Sequence, residues 1–335
     1  MPSSNRSTIN ADCIVIGGGI TGLITATVLQ RQGLKVTVLD KGRGIGGRLA
    51  TRRIVNEEDT EGVFDYGTQY FSVKQPQFQV WVDEWLEQGV VQEWCQGFGE
   101  PDGKPRYCGV NGTRDIAKYL ARDLDIHTST RVVKVSYDAH WRVETAEKHY
   151  YQGDMLVMTP PVPQSLNLLD ASQIQLPVEI RKSLEQIDYH SCLAVLALLE
   201  KPSQIPPPGG VALEHESLVW LGDNHQKGIS PRGYAVTIHA NPDFSNAHWE
   251  RDDSEIAEYL FDQASSYLGS TVVDFQVHRW RYSLPQTFYP EPCLKLPQLS
   301  LVMAGDAFVA PKIEGAVTSG MAAGEFIVNS QSRVK

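Results

Sequence analysis

The sequence contains no unbroken apolar run of the roughly 18 to 20 residues that a membrane-crossing helix needs, which predicts a protein without a membrane partner. Its opening, Met1 to Ala11, is polar and lacks the apolar region of a secretory signal, so the expected location is cytoplasmic. Cysteine is sparse. Cys13, Cys95, Cys108, Cys192 and Cys293 are odd in number and scattered, with no C-x-x-C pair, which suggests neither a disulfide framework nor a structural zinc site. No metal-ligand cluster is visible. A basic excess is also missing: 30 Lys and Arg stand against 40 Asp and Glu, for a formal net charge of −10. That argues against nucleic acid as the partner, because phosphate backbones need a basic surface. Internal repeats are absent as well. With 41% hydrophobic and 21% charged residues the profile is that of an ordinary globular chain.

What is present is concentrated near the two ends. A length of 335 residues allows about two domains. Cys13 to Ile16 form a short apolar run that fits a buried parallel strand. Gly17 to Gly22 follow, then a helical stretch through Leu23, Ala26, Val28 and Leu29 that stops at Gly33. Val36 to Leu39 read as the next strand, ending at Asp40. The glycines spell Gly17-x-Gly19-x-x-Gly22. The first permits a tight turn, the second lets the backbone approach a pyrophosphate, and the third lets helix and strand pack closely. The helix N-terminus adds N–H donors and a partial positive charge, and Asp40 can accept bonds from the ribose hydroxyls of an adenosine. Strand, helix and acid in this register predict a dinucleotide-binding βαβ unit.

Three further segments favour FAD over a simple nicotinamide dehydrogenase. Lys41-Gly42-Arg43-Gly44-Ile45-Gly46-Gly47-Arg48 sets arginines among flexible glycines directly after Asp40, which suits a second clamp on phosphates. Gly305-Asp306 closes the buried run Leu301 to Ala304, where a carboxylate could bind ribityl hydroxyls. Glu314-Gly315-Ala316 begins a closing helix, expected over about Ala316 to Ser330, whose N-terminus would place positive potential near the flavin N1 and C2 carbonyl. Phe64 to Phe71, with its polar groups, glycine and aromatics, suits a wall beside a ring system; a core strand with a satisfied Asp65 is the plainer reading.

The middle of the chain predicts a different architecture. Pro76 opens a Trp-rich helix with Phe78, Trp81, Val82, Trp85 and Leu86 on one face, and Asp115 to Leu124 is a second helix. Strands are expected at Val132 to Tyr137, Trp141 to Thr145, Met155 to Met158, Cys192 to Leu199, Leu218 to Leu221, Tyr234 to Ala240 and Phe275 to Tyr282, with an amphipathic helix from Ile256 to Leu268. Alternation puts Thr237 and His239 on one face of their strand, and His278, Trp280 and Tyr282 on one face of theirs. Either face fits a cavity wall, and a solvated sheet face or a buried core would show the same patterns. The expected fold is α/β: a Rossmann-type FAD-binding domain over 1–75, 106–165 and 283–335, interrupted by a smaller, mainly antiparallel α+β substrate domain over 76–105 and 166–282. Ligand chemistry is expected where the two meet.

Together, Ile16 to Gly22, Asp40 to Arg48, Asp65 to Phe71, Thr159 to Gln164, His278 to Pro285 and Gly305 to Ala323 resemble the renalase-like branch of the flavin amine oxidase superfamily. The resemblance spans essentially the whole chain and implies a p-hydroxybenzoate-hydroxylase-like fold holding FAD without a covalent bond. It implies that Gly17, Gly19, Gly22, Asp40, Arg48 and Asp306 hold FAD, and the expected cofactor set extends to Lys41, Gly47, Val133, Gly305, Gly315 and Ala316. Gln69, Tyr70, His239, Trp280 and Glu314 would lie near the flavin ring or the substrate. The implied reaction takes hydride from misreduced 2- or 6-dihydro isomers of NAD(P) onto flavin N5, regenerating NAD(P)+, with O2 reoxidising the flavin to give hydrogen peroxide. The chain is expected to depart from monoamine oxidases in three ways: no C-terminal membrane anchor, no cysteine motif for covalent flavin attachment and no evident pair of tyrosines for an amine cage. Two alternatives stay open, an FAD-dependent amine oxidase or desaturase acting on another hydride donor, and a flavin-containing binding module without turnover. The sequence predicts no oligomeric state.

Overall fold

The structure, a computed structural model, describes residues 8–99 and 102–332. It separates into two compact units. The first comprises the chain up to Gly47, Ala117–Asp188 and the chain from Pro285 onward; the second comprises Arg48–Ile116 and Tyr189–Leu284. The dividing lines differ from those expected from sequence, since 48–75, 106–116 and 283–284 fall in the second unit and 166–188 in the first. Packing explains both. The hairpin of Thr51–Val55 with Glu61–Asp65 lays Ile54 and Phe64 against Leu196, Leu198 and Ala235 of the second unit. The helix Val162–Ala171 instead packs on Val132–Asp138, and Ser172 Oγ accepts a bond from the Val135 N–H.

In the first unit the central strand Ile9–Ile16 is flanked in parallel by Val36–Leu39 and by Tyr150–Met158. Leu301–Met303 and Asp125–His127 extend this parallel core on either side, and Leu294–Leu296 closes one edge antiparallel. The strand Tyr150–Met158 is longer than its apolar half suggests. Its first residues pair antiparallel with His140–Thr145, which carries Val132–Asp138 beyond it, so the small antiparallel layer is continuous with the parallel sheet.

The strand Val36–Leu39 is wholly buried, as a parallel strand covered on both faces must be. Cys13, Val15, Val38, Val157 and Val302 form the core with Ala26 and Leu29 of the helix Ile20–Arg31, and with Ala323 and Ile327 of the closing helix Ile313–Ser332. Those two helices approach closely because small residues line the contact. Thr21 Oγ1 and Thr25 Oγ1 donate to the carbonyls of Ala316 and Gly320, each at 3.0 Å, and a Cβ on Gly320 would stand 2.6 Å from the Thr21 carbonyl oxygen. The closing helix starts three residues earlier than expected, at Ile313. The helix expected over Asp115 to Leu124 spans only Arg114–Leu120, because the chain turns to pair Asp125–His127 with Val36–Leu39.

The second unit is built on a five-stranded sheet in the order Gly210–Ala212, Leu218–Asp223, Tyr234–Ala240, Tyr189–Leu199, Val272–Pro285. Leu193, Val195, Ala197, Val236 and Ile238 pack against Ile256, Ala257 and Leu260 of the helix Asp253–Gln263. The single amphipathic helix expected to reach Leu268 breaks at Ala264 into Asp253–Gln263 and Ser265–Leu268, ending at Gly269 in the left-handed region. The Trp-rich helix Pro76–Glu87 buries Phe78 and Trp85 against Phe71, with Tyr107 beyond.

Candidate active site

In the first unit the parallel strands deliver three expected loops to one edge of the sheet. Gly17 follows Ile16, Asp40 follows Leu39 and Gly305 follows Ala304, and the strand ends are laced by bonds from Gly17 N–H to the Leu39 carbonyl and from Ala304 N–H to the Met158 carbonyl. Carboxyl edges of parallel strands are where open α/β sheets take ligands. Gly17 has a φ of +109°, and a Cβ there would fall 2.4 Å from Thr159 Oγ1. Gly22 is tighter still, since its Cβ would lie 2.0 Å from the Gly17 carbonyl oxygen. Gly19, between them, has nothing within 4 Å of its Cβ position, and the helix it caps receives no side-chain cap bond. Open space over a glycine and helix N–H groups without a side-chain acceptor fit an incoming pyrophosphate.

Asp40 is held to serve such a ligand. Its Oδ2 accepts from Gly18 N–H at 2.5 Å and its Oδ1 from Gly42 N–H at 2.6 Å, which clamps both glycine loops around one carboxylate and leaves lone pairs for ribose hydroxyls. Gly46 N–H bonds to the Gly18 carbonyl at 2.8 Å, and a Cβ on Gly47 would touch Gly19 Cα at 3.4 Å. Gly305 donates to Ser319 Oγ of the closing helix, Glu314 and Gly315 lie in that helix's first turn, and the Ala316 carbonyl is the acceptor for Thr21. Asp306 is half-buried. Lys41 reaches sideways, its Nζ donating to Gln164 Oε1 at 2.8 Å. Val133 is exposed, and the ladder register skips it between Val132 and Lys134, the signature of a bulge that takes one residue out of pairing. The open space over Gly19, the helix start without a side-chain cap and the Asp40 carboxylate have the chemistry an adenosine and a pyrophosphate require.

Arg48 belongs to the second unit, where its guanidinium donates to the Ser283 carbonyl at 3.1 Å. The other expected residues of this unit converge on one segment, Asp65 to Tyr70. The Tyr66 carbonyl is the shared acceptor for Trp280 Nε1–H at 2.9 Å and His239 Nε2 at 3.1 Å. The Tyr66 ring stacks on Trp280 with centroids 5.3 Å apart, His278 meets both rings edge-on, and the Arg52 guanidinium lies over Tyr66. His239 keeps some surface, yet burial among protein groups pulls its pKa down to about 4, outweighing the Tyr66 carbonyl that pulls the other way. His278 is also lowered to about 4, first by burial and then by Arg52 and Arg279. Both imidazoles are therefore neutral at pH 7. For His239 the proton sits on Nε2, facing the carbonyl, which leaves Nδ1 as an acceptor. Tyr282 leaves the group and packs on Tyr189. The stripe of Thr237 and His239 is not a solvated face: Thr237 is fully buried and donates to the Asp65 carbonyl at 2.8 Å.

Beneath this layer lies a feature that sequence reasoning missed. Lys227 Nζ is buried 2.7 Å from Asp65 Oδ2, with side chains 1% and 0% exposed. The same ammonium donates to the Gln69 carbonyl at 2.5 Å and sits 5.1 Å from the centre of the Trp94 ring. Asp65 Oδ1 accepts from Thr51 Oγ1, the Thr113 N–H and Thr113 Oγ1. Gln69 Nε2 donates to the Asp65 carbonyl at 2.6 Å. Tyr70 packs on Trp94, Phe98 and Trp220, four rings whose centroids lie 4.9 to 6.4 Å apart. Lys227 lies in a polar turn, Asp223 to Ser230, whose only sequence signal is a lysine among residues that otherwise read as loop.

All five cysteines are free. Among the described residues no group of three or more His, Cys, Asp or Glu side chains is placed to hold a metal ion, and no helix is long and apolar enough to cross a membrane.

Residues 15–85 match the model of an NAD(P)-binding Rossmann-like domain, and residues 80–327 match that of the flavin containing amine oxidoreductases. Mouse renalase is 24% identical over 330 residues, covering 92% of this chain and 96% of the relative. A pseudooxynicotine dehydrogenase of Pseudomonas is 32% identical over a shorter stretch of 97 residues, 29% of this chain and 18% of that protein. Among solved structures, a redesigned single mutant of putrescine oxidase superposes with a TM-score of 0.72 at 14% identity, covering 97% of this chain and all of that one. Wild-type putrescine oxidase bound to putrescine superposes with a TM-score of 0.65 at 13% identity, covering 96% of this chain.

Proposed function

Because the chain belongs to the flavin-containing amine oxidoreductases, and is a renalase-like FAD-dependent oxidoreductase within them, we propose that its substrates are the 2- and 6-dihydro isomers of NAD(P), which it returns to NAD(P)+. Bound FAD would supply a two-electron acceptor for the hydride, with O2 as the final oxidant and hydrogen peroxide as its product. The observation that carries the substrate reading is the neutral, aromatic character of the Tyr66, His239, His278 and Trp280 group. A dihydropyridine regains aromaticity on losing hydride and needs no strong base. What it needs is a flat apolar surface, a fixed orientation and exclusion of water.

In this reading Gly17, Gly19, Gly22, Asp40 and Gly47 hold the adenosine and pyrophosphate, with Lys41, Arg48 and the Val133 bulge completing that grip. Gly305, Asp306, Gly315 and Ala316 hold the ribityl and ring portions, and the helix terminus at Glu314 steadies negative charge there. Trp280 and Tyr70 present aromatic surface to the substrate. His239 offers a neutral acceptor at Nδ1, and Gln69 orients the ring that gives up hydride.

The test is anaerobic mixing of the FAD-loaded protein with 2- and 6-dihydroNAD(P), with ordinary NAD(P)H and with simple amines, following the flavin absorbance. Rapid bleaching by the 2- and 6-dihydro isomers is expected, with slow or no bleaching by amines. Bleaching by an amine but not by those isomers would overturn the substrate reading and return the site to amine oxidation.

A further inference from the structure

Gln69 and Trp220 each end in a polar atom that is buried and without a hydrogen-bond partner, Gln69 Oε1 and Trp220 Nε1. The two residues are 7% and 8% exposed. Buried polar atoms are almost always paired, so two orphans side by side call for a physical account. The identity of the Gln69 atoms follows from their neighbours. Its other terminal atom faces the carbonyls of Asp65 at 2.6 Å and Gly67 at 3.3 Å, which only an NH2 group can satisfy. The remaining atom is therefore an acceptor, and the indole nitrogen is a donor.

The orphans flank one glycine. A Cβ on Gly222 would stand 2.7 Å from Gln69 Oε1 and 2.9 Å from Trp220 Nε1. The missing side chain lets an acceptor and a donor pack against the same stretch of strand backbone, each within reach of the one Cβ position. We infer that Gln69 Oε1 and the Trp220 indole N–H, both packed against the Gly222 backbone, form a receptor for a primary carboxamide, whose NH2 donates to Gln69 while its oxygen accepts from Trp220. A planar amide presents one donor and one acceptor side by side, the pairing that asparagine and glutamine exploit against adenine. The proposal rests on the substrate reading above and sharpens it: a nicotinamide ring carries this group at its 3-position, whereas simple amines carry none.

The surroundings support the assignment. The Lys227 ammonium holds the main-chain carbonyl of Gln69, and the Gln69 NH2 is tied to the Asp65 carbonyl, so the Oε1 direction is set before a ligand arrives. Tyr70 and Phe98 pack on Trp220 at 5.5 and 4.9 Å and retain partial exposure. They are the flat apolar surfaces available to the ring that bears the amide, and they must turn aside to admit it.

The experiment uses the FAD-loaded full chain with tryptophan labelled at the indole nitrogen. Seven tryptophans give a readable set of indole N–H resonances, and Trp220→Phe identifies the one that belongs to Trp220. Titration with nicotinamide should move that resonance downfield and saturably. 3-Acetylpyridine keeps the acceptor but lacks the donor and should bind about tenfold more weakly. Nicotinic acid, with a carboxylate facing Gln69 Oε1, should leave the resonance in place. Gly222→Ala should abolish the nicotinamide shift while the other indole resonances keep their positions. An unmoved Trp220 resonance under nicotinamide, or an equal response to nicotinic acid, overturns the inference. The two proposals fail separately, because nicotinamide can move Trp220 in a protein that ignores the dihydro isomers, and the isomers can bleach the flavin while Trp220 stays still.

Discussion

Replacing Lys227 with methionine isolates the buried ion pair beneath the candidate site. Methionine keeps the length and apolar stem of lysine and removes only the charge and its donors. Asp65 would retain three bonds at Oδ1, from Thr51 Oγ1 at 2.6 Å and from the Thr113 N–H and Oγ1 at 2.8 and 3.1 Å. Its Oδ2, now 2.7 Å from the ammonium, would face no compensating cation at a side chain that is 0% exposed. Removing one partner of such a pair strands a charge in low dielectric and costs about 3–5 kcal/mol. For a domain of this size each kcal/mol lowers the midpoint by about 2–4 °C, so Lys227→Met should melt roughly 6 to 20 °C earlier. The paired variant Asp65→Asn with Lys227→Met removes both charges and should recover at least half of the loss, because no unpaired charge remains. Near-UV circular dichroism on heating is the assay, since the affected unit holds Trp94 and Trp220. A fall of less than about 3 °C for the single variant, or a double variant no better than the single, would refute the account of this pair.

Three further outcomes are expected. Gly22→Ala places a methyl 2.0 Å from the Gly17 carbonyl oxygen, so the variant should purify with little flavin and bind added FAD about tenfold more weakly or worse, measured by the visible absorbance per protein. His239 and His278 have folded pKa values near 4 against 6.5, so unfolding takes up protons between those values; stability is intact above about pH 6.5 and falls as pH drops toward 4. Melting midpoints across that window should slope less in His239→Gln than in the parent, and equal slopes would count against a neutral buried imidazole. Gly320→Val forces β-branched bulk to within contact of the Thr21 carbonyl and Ile24, and should cost about 1–3 kcal/mol, read as an earlier melt.

The division between what the sequence showed and what it hid follows from the range of the interactions. Gly17, Gly19, Gly22 and Asp40 lie within one βαβ unit, where steric demand and ligand chemistry act over 24 residues, so pattern alone predicted the turn, the helix and the acid at the strand end. Trp280 and His239 were legible only as members of alternating faces; what decides between cavity wall, core and solvent is the Tyr66 carbonyl that accepts from both, across more than 170 residues of chain. Lys227 was invisible for the same reason. Nothing in Asp223 to Ser230 marks a buried ammonium, because the carboxylate that makes burial tolerable is 162 positions away. The expected domain boundaries shifted for a related cause. The Thr51 to Asp65 hairpin follows the glycine loops in sequence, but its apolar face is complementary to Leu196, Leu198 and Ala235, and a hairpin goes where its apolar face is covered. Gln69 combines the two kinds of residue. Its position in an aromatic, polar segment singled it out, yet its main chain is held by Lys227, its side-chain NH2 by Asp65, and its Oε1 packs with Trp220 on Gly222, so its chemistry is a property of the folded sheet and not of the segment that carries it.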